Sequence, residues 1–304
     1  MYLSLLTDKN SNFYRIYHLF STKFTYLCLK FVLRPIGMKR LLRITLHFFA
    51  FVAIALLSSA GITFIARSMG ISTADNDLAF AVVNVAISLT LLMLLSLYER
   101  VACGDLPSVG WRGAGFNPTK VLMGVVLLVA ASVATSPLAE WLDNDVRSFP
   151  DGEWTLVVAV VVAPILEELI FRGRLISILR REMPLSLAVV VSSLIFAAAH
   201  GSFVVALDAF IAGLILSYFY LSSRSIIMPI ILHICNNAVA YSLTVLSYRG
   251  ESISDIFSSS SSFLIVYAIS LLIVALGFGN IIRFFFKIDT THKDDLTKEI
   301  EAEE

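Results

Sequence analysis

The stretch WTLVVAVVVAPILEELIFRGRLISIL, residues 154–179, decides the fold class of this chain. Its first half carries no charge. At about 1.5 Å per residue, a helix over the whole stretch is longer than the roughly 30 Å hydrocarbon core of a bilayer. Its second half holds two adjacent acids, Glu167 and Glu168, with Arg172 one turn later. Ionisable groups are costly at membrane depth, so these residues mark a candidate functional site.

The whole chain has the composition of a membrane protein. Of its 304 residues, 58% are hydrophobic and 15% are charged, whereas soluble domains are about 45–50% apolar and about 25% charged. Mean hydropathy is +0.83. The sequence therefore predicts an all-α, polytopic integral membrane protein. The formal net charge is zero, so no nucleic-acid partner is expected.

Working outward from residues 154–179, we count eight apolar segments that predict about eight transmembrane helices. The fifth and sixth are short and are joined only by Gly201 and Ser202, which predicts a tight helical hairpin. The eight segments are Ile44–Ala66, Leu78–Tyr98, Val121–Leu138, Trp154–Leu179, Leu185–His200, Phe203–Tyr220, Ile226–Leu246 and Phe263–Ile282.

The distribution of positive charge predicts the orientation. With the N-terminus inside, the inner segments hold 20 of the 23 Lys and Arg residues, and the outer loops hold only Arg67, Arg147 and Arg249. Lys and Arg concentrate on the cytoplasmic side of membrane proteins. Both termini are therefore expected in the cytoplasm, and the chain is expected in a prokaryotic cytoplasmic membrane.

The patterns of apolar and charged residues divide the chain into five parts. They are a basic, cytoplasmic or interfacial N-terminal segment (1–43), N-terminal transmembrane helices and loops (44–153), a catalytic transmembrane core (154–246), a last transmembrane helix (247–282) and a polar acidic cytoplasmic tail (283–304). The stretch that begins at Met38 has the form of a natural N-terminus, a start Met followed by basic residues and an apolar span. The residues before it are expected to be either an interfacial amphipathic helix or the product of an over-extended start site. The sequence predicts no oligomeric state.

Spacing gives the polar residues of the spans common helix faces. Glu168 and Arg172 are four residues apart, as are Phe196 and His200, and His233 and Asn237. At helical rise from the inner ends of their spans, Glu167, His200 and Asn237 all lie about 20–24 Å deep, with His233 at about 13 Å. These groups of three spans are therefore expected to converge on one site.

The convergent residue types suit hydrolysis. Glu167 can take a proton from water as a general base. An imidazole can orient the water or donate to the leaving group, and the Asn237 amide can donate to a developing oxyanion. Asp208 has no motif partner and is expected to be a polar packing residue or to be paired with a neighbouring helix, and Pro164 is expected to kink or begin a helix.

At these residues the sequence resembles the CPBP family of intramembrane proteases, which includes CAAX prenyl proteases type II, bacteriocin-processing proteases and abortive-infection-like proteins. Three motifs carry the resemblance: EExxxR as EELIFR (Glu167–Arg172), FxxxH as FAAAH (Phe196–His200) and HxxxN as HICNN (His233–Asn237). Each motif alone is weak, but together and inside apolar spans they are strong. The matched region is about Ala163–Tyr241.

The resemblance implies a role for each residue of the motifs. Glu167 would activate the attacking water with the help of His200, and His233 and Asn237 would contact the scissile carbonyl or the oxyanion. Glu168 and Arg172 would support the site through their ion pair. Phe196 would form a wall of the pocket.

The resemblance leaves the metal open, because the family has been described both as metalloproteases and as metal-independent glutamate proteases. The chain has no HExxH pair on one helix, so we favour a reaction without metal or other cofactor. If Zn²⁺ is used, Glu167, His200 and His233 are the candidate ligands.

The function that follows is an intramembrane endopeptidase in which a glutamate activates water. Its expected partners are the lipid bilayer and a membrane protein or lipidated peptide as substrate. Two alternatives stay open: a non-proteolytic membrane scaffold or immunity factor, and a proton-coupled transporter. A transporter usually shows inverted repeats, and the sequence shows none.

Overall fold

A computed structural model describes residues 38–73, 76–103, 117–142, 152–200, 203–247 and 260–303. In this described part the secondary structure consists of eight helical rods. They are α1 (Met38–Ser68), α2 (Asp77–Cys103), α3 (Pro118–Leu142), α4 (Glu153–Leu179), α5 (Leu185–Ala198), α6 (Phe203–Ser223), α7 (Ile227–Ser247) and α8 (Ser260–Glu303). The all-α prediction with about eight membrane helices is thereby confirmed.

The chain divides into two compact units, Met1–Thr45 and Leu46–Glu304. Of the first unit the structure describes only the start of α1. The prediction of an interfacial helix before Met38 lies outside the described residues. Everything that follows concerns the second unit.

Six of the described helices are long and apolar enough to cross a membrane, and α5 and α7 are shorter apolar helices. Large apolar side chains lie exposed along the outer helices, among them Phe64 of α1, Met93 of α2 and Leu272 of α8. In water such a surface would be unfavourable, whereas in a bilayer it is the surface that contacts lipid. The chain is thus an integral membrane protein.

The protein core lies around α6. Its side chains Ile215 and Leu216 are completely buried, and α6 packs against α3, α5 and α7. The hydrophobic core cluster draws residues from six helices: Leu127, Leu128, Ala131, Ile176, Val189, Ala212, Ile215, Leu216, Phe219, Met228, Leu232, Ile281 and Phe285. The extensive contact between α5 and α6 agrees with the predicted helical hairpin, although Gly201 and Ser202 themselves lie outside the described residues.

Polar side chains fix where helices begin. The side-chain oxygen of Asn76 accepts a hydrogen bond from the backbone N–H of Ala79 at the start of α2, and Asn117 does the same for Thr119 at the start of α3. The carboxylate of Asp77 accepts from the backbone N–H groups of Trp154 and Thr155 at the start of α4. Such acceptors satisfy the first N–H groups of a helix. Asp77 thereby joins the starts of α2 and α4.

Helix α4 is not a uniform α-helix. Two π-helical segments, Val158–Val162 and Leu169–Leu175, flank the short α-helical segment Ala163–Glu168. A π-helix closes its turns from residue i to i+5 and is found mainly at functional sites. Both acids of the first motif lie in the α-helical segment between the two π segments.

The last helix is longer than its apolar segment. Apolarity predicts an end near Ile282, whereas α8 continues to Glu303. The residues beyond Ile282 include Lys, Glu, Leu and Ala, which have high helix propensities. Helix formation needs these propensities and not apolarity, so the polar tail 283–304 is helical over most of its length.

Candidate active site

The second acid of the first motif forms a fully buried ion pair. Nη1 of Arg172 donates to Oε1 of Glu168 at 2.7 Å, and the side chains are 1% and 0% exposed. The pairing predicted from the four-residue spacing is therefore confirmed. A buried carboxylate without such a partner would be strongly unfavourable.

Helix α6 holds the other side of Arg172. Its Nη2 donates to the backbone carbonyl of Gly213 at 3.1 Å, and its Nε lies 3.4 Å from the hydroxyl of Ser217. The guanidinium carbon also lies 4.9 Å from the ring centroid of Phe196 on α5, which is within cation–π range. Arg172 thus connects α4, α5 and α6 at one point.

The carbonyl of Gly213 is accessible to Arg172 because the helices approach closely there. A Cβ atom at position 213 would lie 2.9 Å from the Cβ of Ser193 on α5. Only glycine leaves room for this approach. Gly213 is therefore part of the support of the site, although the sequence gives no signal of it.

His233 of α7 lies between the two acids of α4. Its Nδ1 is 2.8 Å from Oε1 of Glu168, and its Nε2 is 3.6 Å from Oε2 of Glu167. An ionised carboxylate only accepts hydrogen bonds, so the Nδ1 contact places a proton on Nδ1 of His233. The buried chain Arg172–Glu168–His233 thus orients the imidazole and presents Nε2 to Glu167.

The two adjacent acids differ in their exposure. Glu167 is 27% exposed and Glu168 is 0% exposed. The second carboxylate oxygen of Glu168, Oε2, is buried without a hydrogen-bond partner among the described residues. Glu167 is therefore the acid with an open side, and Glu168 is the one that holds other side chains.

The second motif forms an aromatic cluster beside this chain. Phe196 is buried, and its ring centroid lies 5.7 Å from that of His233, 5.0 Å from that of Phe171 and 4.5 Å from that of His200. The structure therefore places Phe196 as a wall against both histidines. Nδ1 of His200 donates to the backbone carbonyl of Phe196 at 2.8 Å, which leaves Nε2 as the free nitrogen of the ring.

The last residue of the third motif binds the backbone of α4. The side-chain amide nitrogen of Asn237 donates to the carbonyl of Ala159 at 2.9 Å. Asn237 has two amide hydrogens, and this contact uses one of them. The predicted donation to an oxyanion stays a prediction.

Asp208, which belongs to none of the motifs, is paired with a neighbouring helix as predicted. The hydroxyl groups of Ser132 and Thr135 on α3 both lie 3.2 Å from its carboxylate oxygens. Asp208 also interacts electrostatically with His200. It thus fixes α3 to α6 near the second motif.

A second buried acid lies on α2, outside the motif residues. Glu99 is completely buried, accepts a hydrogen bond from the hydroxyl of Ser177 at 2.9 Å and pairs with Arg174 at 3.3 Å. Its position at the end of an apolar span gives no sign of this burial. Its contacts instead hold α2 against the end of α4.

The candidate zinc ligands were tested against their positions. Across the described part of the chain, no three His, Cys, Asp or Glu side chains form a group that could hold a metal ion. In their positions in the structure, Glu167, His200 and His233 therefore do not form a zinc site. The proposed reaction accordingly has no step on a metal. Whether the reaction needs one stays a prediction.

The comparison with known proteins agrees with this arrangement. Residues 150–239 match the family model described as type II CAAX prenyl endopeptidase Rce1-like. A relative from Escherichia coli, described as an uncharacterized 24.3 kDa protein, is 32% identical over 136 residues, which is 43% of this chain. The chain spans 62% of the length of that relative. No solved structure matches the chain.

The matched region covers helices α4 to α6 and the motif residues of α7. It includes all three motifs on which the resemblance was based. Residues 150–239 are therefore similar to the type II CAAX prenyl endopeptidase Rce1-like family, in agreement with the resemblance that the motifs predicted.

Proposed function

We propose that the protein is an intramembrane endopeptidase that hydrolyses a peptide bond with water activated by Glu167. The observation that carries the proposal is the position of His233 between the two acids, 2.8 Å from Glu168 and 3.6 Å from Glu167. A structural ion pair needs Glu168 and Arg172 alone. It gives no reason for an imidazole to face a second, partly exposed carboxylate.

The tautomer of His233 supports a water-binding role for its other nitrogen. In a neutral ring with its proton on Nδ1, which the proposal requires, Nε2 carries a lone pair and accepts hydrogen bonds, as does the carboxylate of Glu167. Two acceptors 3.6 Å apart do not bond each other directly. One water molecule has two O–H donors and can donate to both, so the pair forms a site for the attacking water.

The proposed reaction then follows from the chemistry of these groups. The water oxygen attacks the carbonyl carbon of the scissile peptide bond while Glu167 takes the proton of the water. As the carbon–nitrogen bond breaks, the same proton passes to the leaving amine. Glu168 and Arg172 touch no substrate, and their role is to hold His233 in the required tautomer and position.

We assign His200 and Asn237 by the resemblance. Nδ1 of His200 donates to the carbonyl of Phe196, so Nε2 remains for other contacts. The rings of His200 and His233 both contact the ring of Phe196. In the proposed site His200 helps to hold the attacking water, as the resemblance implies. For Asn237 the resemblance implies contact with the oxyanion through the amide hydrogen that Ala159 does not use, and the alternative is a role through the bond to Ala159 itself.

We propose that the substrate is a membrane protein or a lipidated peptide, because the acids lie within a membrane-spanning helix. Both termini are proposed to face the cytoplasm of a prokaryotic cell, on the basis of the distribution of Lys and Arg. The reaction is proposed to need no metal. Each of these statements goes beyond the family match and needs its own test.

The decisive experiment compares the membrane proteomes of cells that carry the wild-type protein, Glu167→Gln or Glu153→Gln. Glu153 is an exposed acid at the start of the same helix and serves as the matched control. We expect at least one membrane protein to accumulate uncleaved in Glu167→Gln cells only, with the unfolding temperature of the purified variant unchanged. Normal cleavage by Glu167→Gln would exclude Glu167 as the base.

The same variant separates the alternative functions. A proton-coupled transporter would lose proton flux in reconstituted liposomes without any change in protein cleavage. A membrane scaffold would keep its cellular effect in Glu167→Gln cells, because the side chain keeps its shape.

A further inference from the structure

We infer that Asn237 is a positioning residue, which satisfies a backbone carbonyl that Pro164 leaves without a donor and so fixes the turn that carries Glu167. The inference deepens the proposed function, because it assigns Asn237 a role that acts through α4. It begins from the hydrogen bonds of the first π segment, Val158–Val162.

The π pattern determines which carbonyl loses its partner. The backbone N–H of Ala163 donates to the carbonyl of Val158, five residues earlier. The next bond in this pattern would run from residue 164 to the carbonyl of Ala159. Residue 164 is proline, which has no N–H to donate. The carbonyl of Ala159 is therefore left without its helical donor.

Within a membrane this deficit matters more than in water. Unpaired backbone groups in hydrocarbon cost several kcal/mol because no water replaces the missing partner. The side-chain amide of Asn237 donates to this carbonyl at 2.9 Å. Asn237 thus supplies from α7 the hydrogen bond that Pro164 cannot supply from within α4.

The position of this bond connects it to the proposed reaction. Pro164 is the second residue of the α-helical segment Ala163–Glu168, and Glu167 follows it by three residues. Asn237 is one helical turn beyond His233, which contacts both acids. The Asn237–Ala159 bond and the His233–Glu168 bond therefore fix α7 to α4 on either side of Pro164.

A double-mutant cycle between residues 164 and 237 tests the inference. Asn237→Ala alone leaves the Ala159 carbonyl unpaired, and we expect the folding equilibrium constant to fall about 5- to 150-fold, the usual effect of one unpaired buried carbonyl. Pro164→Ala restores a backbone N–H that can donate to Ala159. In the Pro164→Ala background, the loss caused by Asn237→Ala should shrink to less than about threefold.

Two further variants keep the test informative. Asn237→Asp has nearly the same shape but presents only acceptors when ionised, so it should destabilise at least as much as Asn237→Ala. Asn236→Ala removes the neighbouring amide, which is no part of the bond to Ala159, and should leave stability and cleavage unchanged. If Pro164→Ala does not fold, equal stability of Asn237→Asp and the wild type would itself overturn the inference.

Unfolding of the purified protein in detergent is the first measurement, and it does not depend on any enzymatic activity. Cleavage of the protein that accumulates in Glu167→Gln cells is the second. Recovery of both in Pro164→Ala/Asn237→Ala supports the positioning role. Equal losses from Asn237→Ala in both backgrounds would overturn it, and recovered stability without recovered cleavage would overturn the positioning role in favour of direct contact with the oxyanion.

Discussion

Replacement of Arg172 by Met removes the partner of a fully buried acid and should be among the most destabilising single changes in this protein. The variant keeps an unbranched apolar side chain and part of the volume, but it lacks the guanidinium group. It leaves Glu168, which is 0% exposed, with His233 as its remaining partner. Breaking a buried ion pair in this way typically costs about 3–5 kcal/mol.

The other contacts of Arg172 place the expected loss of stability within that range. The variant also loses the 3.1 Å bond to the Gly213 carbonyl and the contact with the Phe196 ring. That carbonyl still accepts from the hydroxyl of Ser217 at 2.7 Å, so it does not become unpaired. We therefore expect a loss of about 3–5 kcal/mol, with the uncompensated charge of Glu168 as its largest part.

The assay is reversible unfolding in mixed detergent, measured for Arg172→Met, for Glu168→Gln and for the double variant. Glu168→Gln removes the buried negative charge and keeps an oxygen that can accept from His233. If the charge is the main cost, the double variant should be more stable than Arg172→Met by at least about 1 kcal/mol. An Arg172→Met protein that unfolds within about 1 kcal/mol of the wild type and yet cleaves no substrate would refute this reasoning and indicate a direct role for the guanidinium.

The remaining predictions concern the helix contact behind the site and the metal. Gly213→Ala should destabilise by about 1–3 kcal/mol, because its Cβ would lie 2.9 Å from that of Ser193, and overpacking has this cost. Gly61→Ala is the matched control, since a Cβ at that position meets no atom within 4 Å, and an equal loss from both would contradict the packing argument. If the reaction uses no metal, exhaustive chelation should leave cleavage unchanged, and loss of cleavage followed by recovery with added Zn²⁺ would reverse that expectation.

The sequence predicted the helices well because apolar composition is a direct requirement of the bilayer. The eight apolar segments correspond to α1–α8, and the short fifth segment became the 14-residue α5. Hydropathy did not predict where α8 ends, because a helix that leaves the membrane can continue in water. The length of an apolar segment reflects the thickness of the hydrocarbon core, whereas the length of a helix depends on how far its backbone hydrogen bonds continue.

The sequence predicted which residues belong to the candidate site, but only some of the contacts among them. The Glu168–Arg172 pair followed from a spacing of four residues on one helix, which needs no knowledge of other helices. The contact of His233 with both acids did not follow, since depth reckoned at α-helical rise separated His233 from Glu167 by several ångströms. The π segment Leu169–Leu175 lies between Glu167 and the inner end of α4. The depth of Glu167 counted at the rise of a regular α-helix therefore does not apply.

Other contacts of the site could not be predicted from the motifs. The carbonyl of Gly213 is a backbone acceptor, so no side chain in the sequence reports that it binds Arg172. The burial of Glu99 could not be predicted either, because burial at the end of a span depends on the neighbouring helix. The bond between Asn237 and Ala159 joins residues 78 positions apart, and only the combination of Pro164 with a π-helical turn explains why it is needed.

The length of α5 has a consequence for how water enters. Fourteen residues at about 1.5 Å each span roughly 21 Å, about 9 Å less than the hydrocarbon core of a typical bilayer. Helix α5, which ends at Ala198, is therefore too short to cross that core by itself. The carbonyl groups of Ile195, Phe196 and Ala197 near its end accept hydrogen bonds from the backbone N–H groups of Ala199 and His200. A short helix is accommodated by local thinning of the bilayer. If the protein hydrolyses peptide bonds as proposed, we expect the thickness of the membrane to control how readily water reaches the site beside α5.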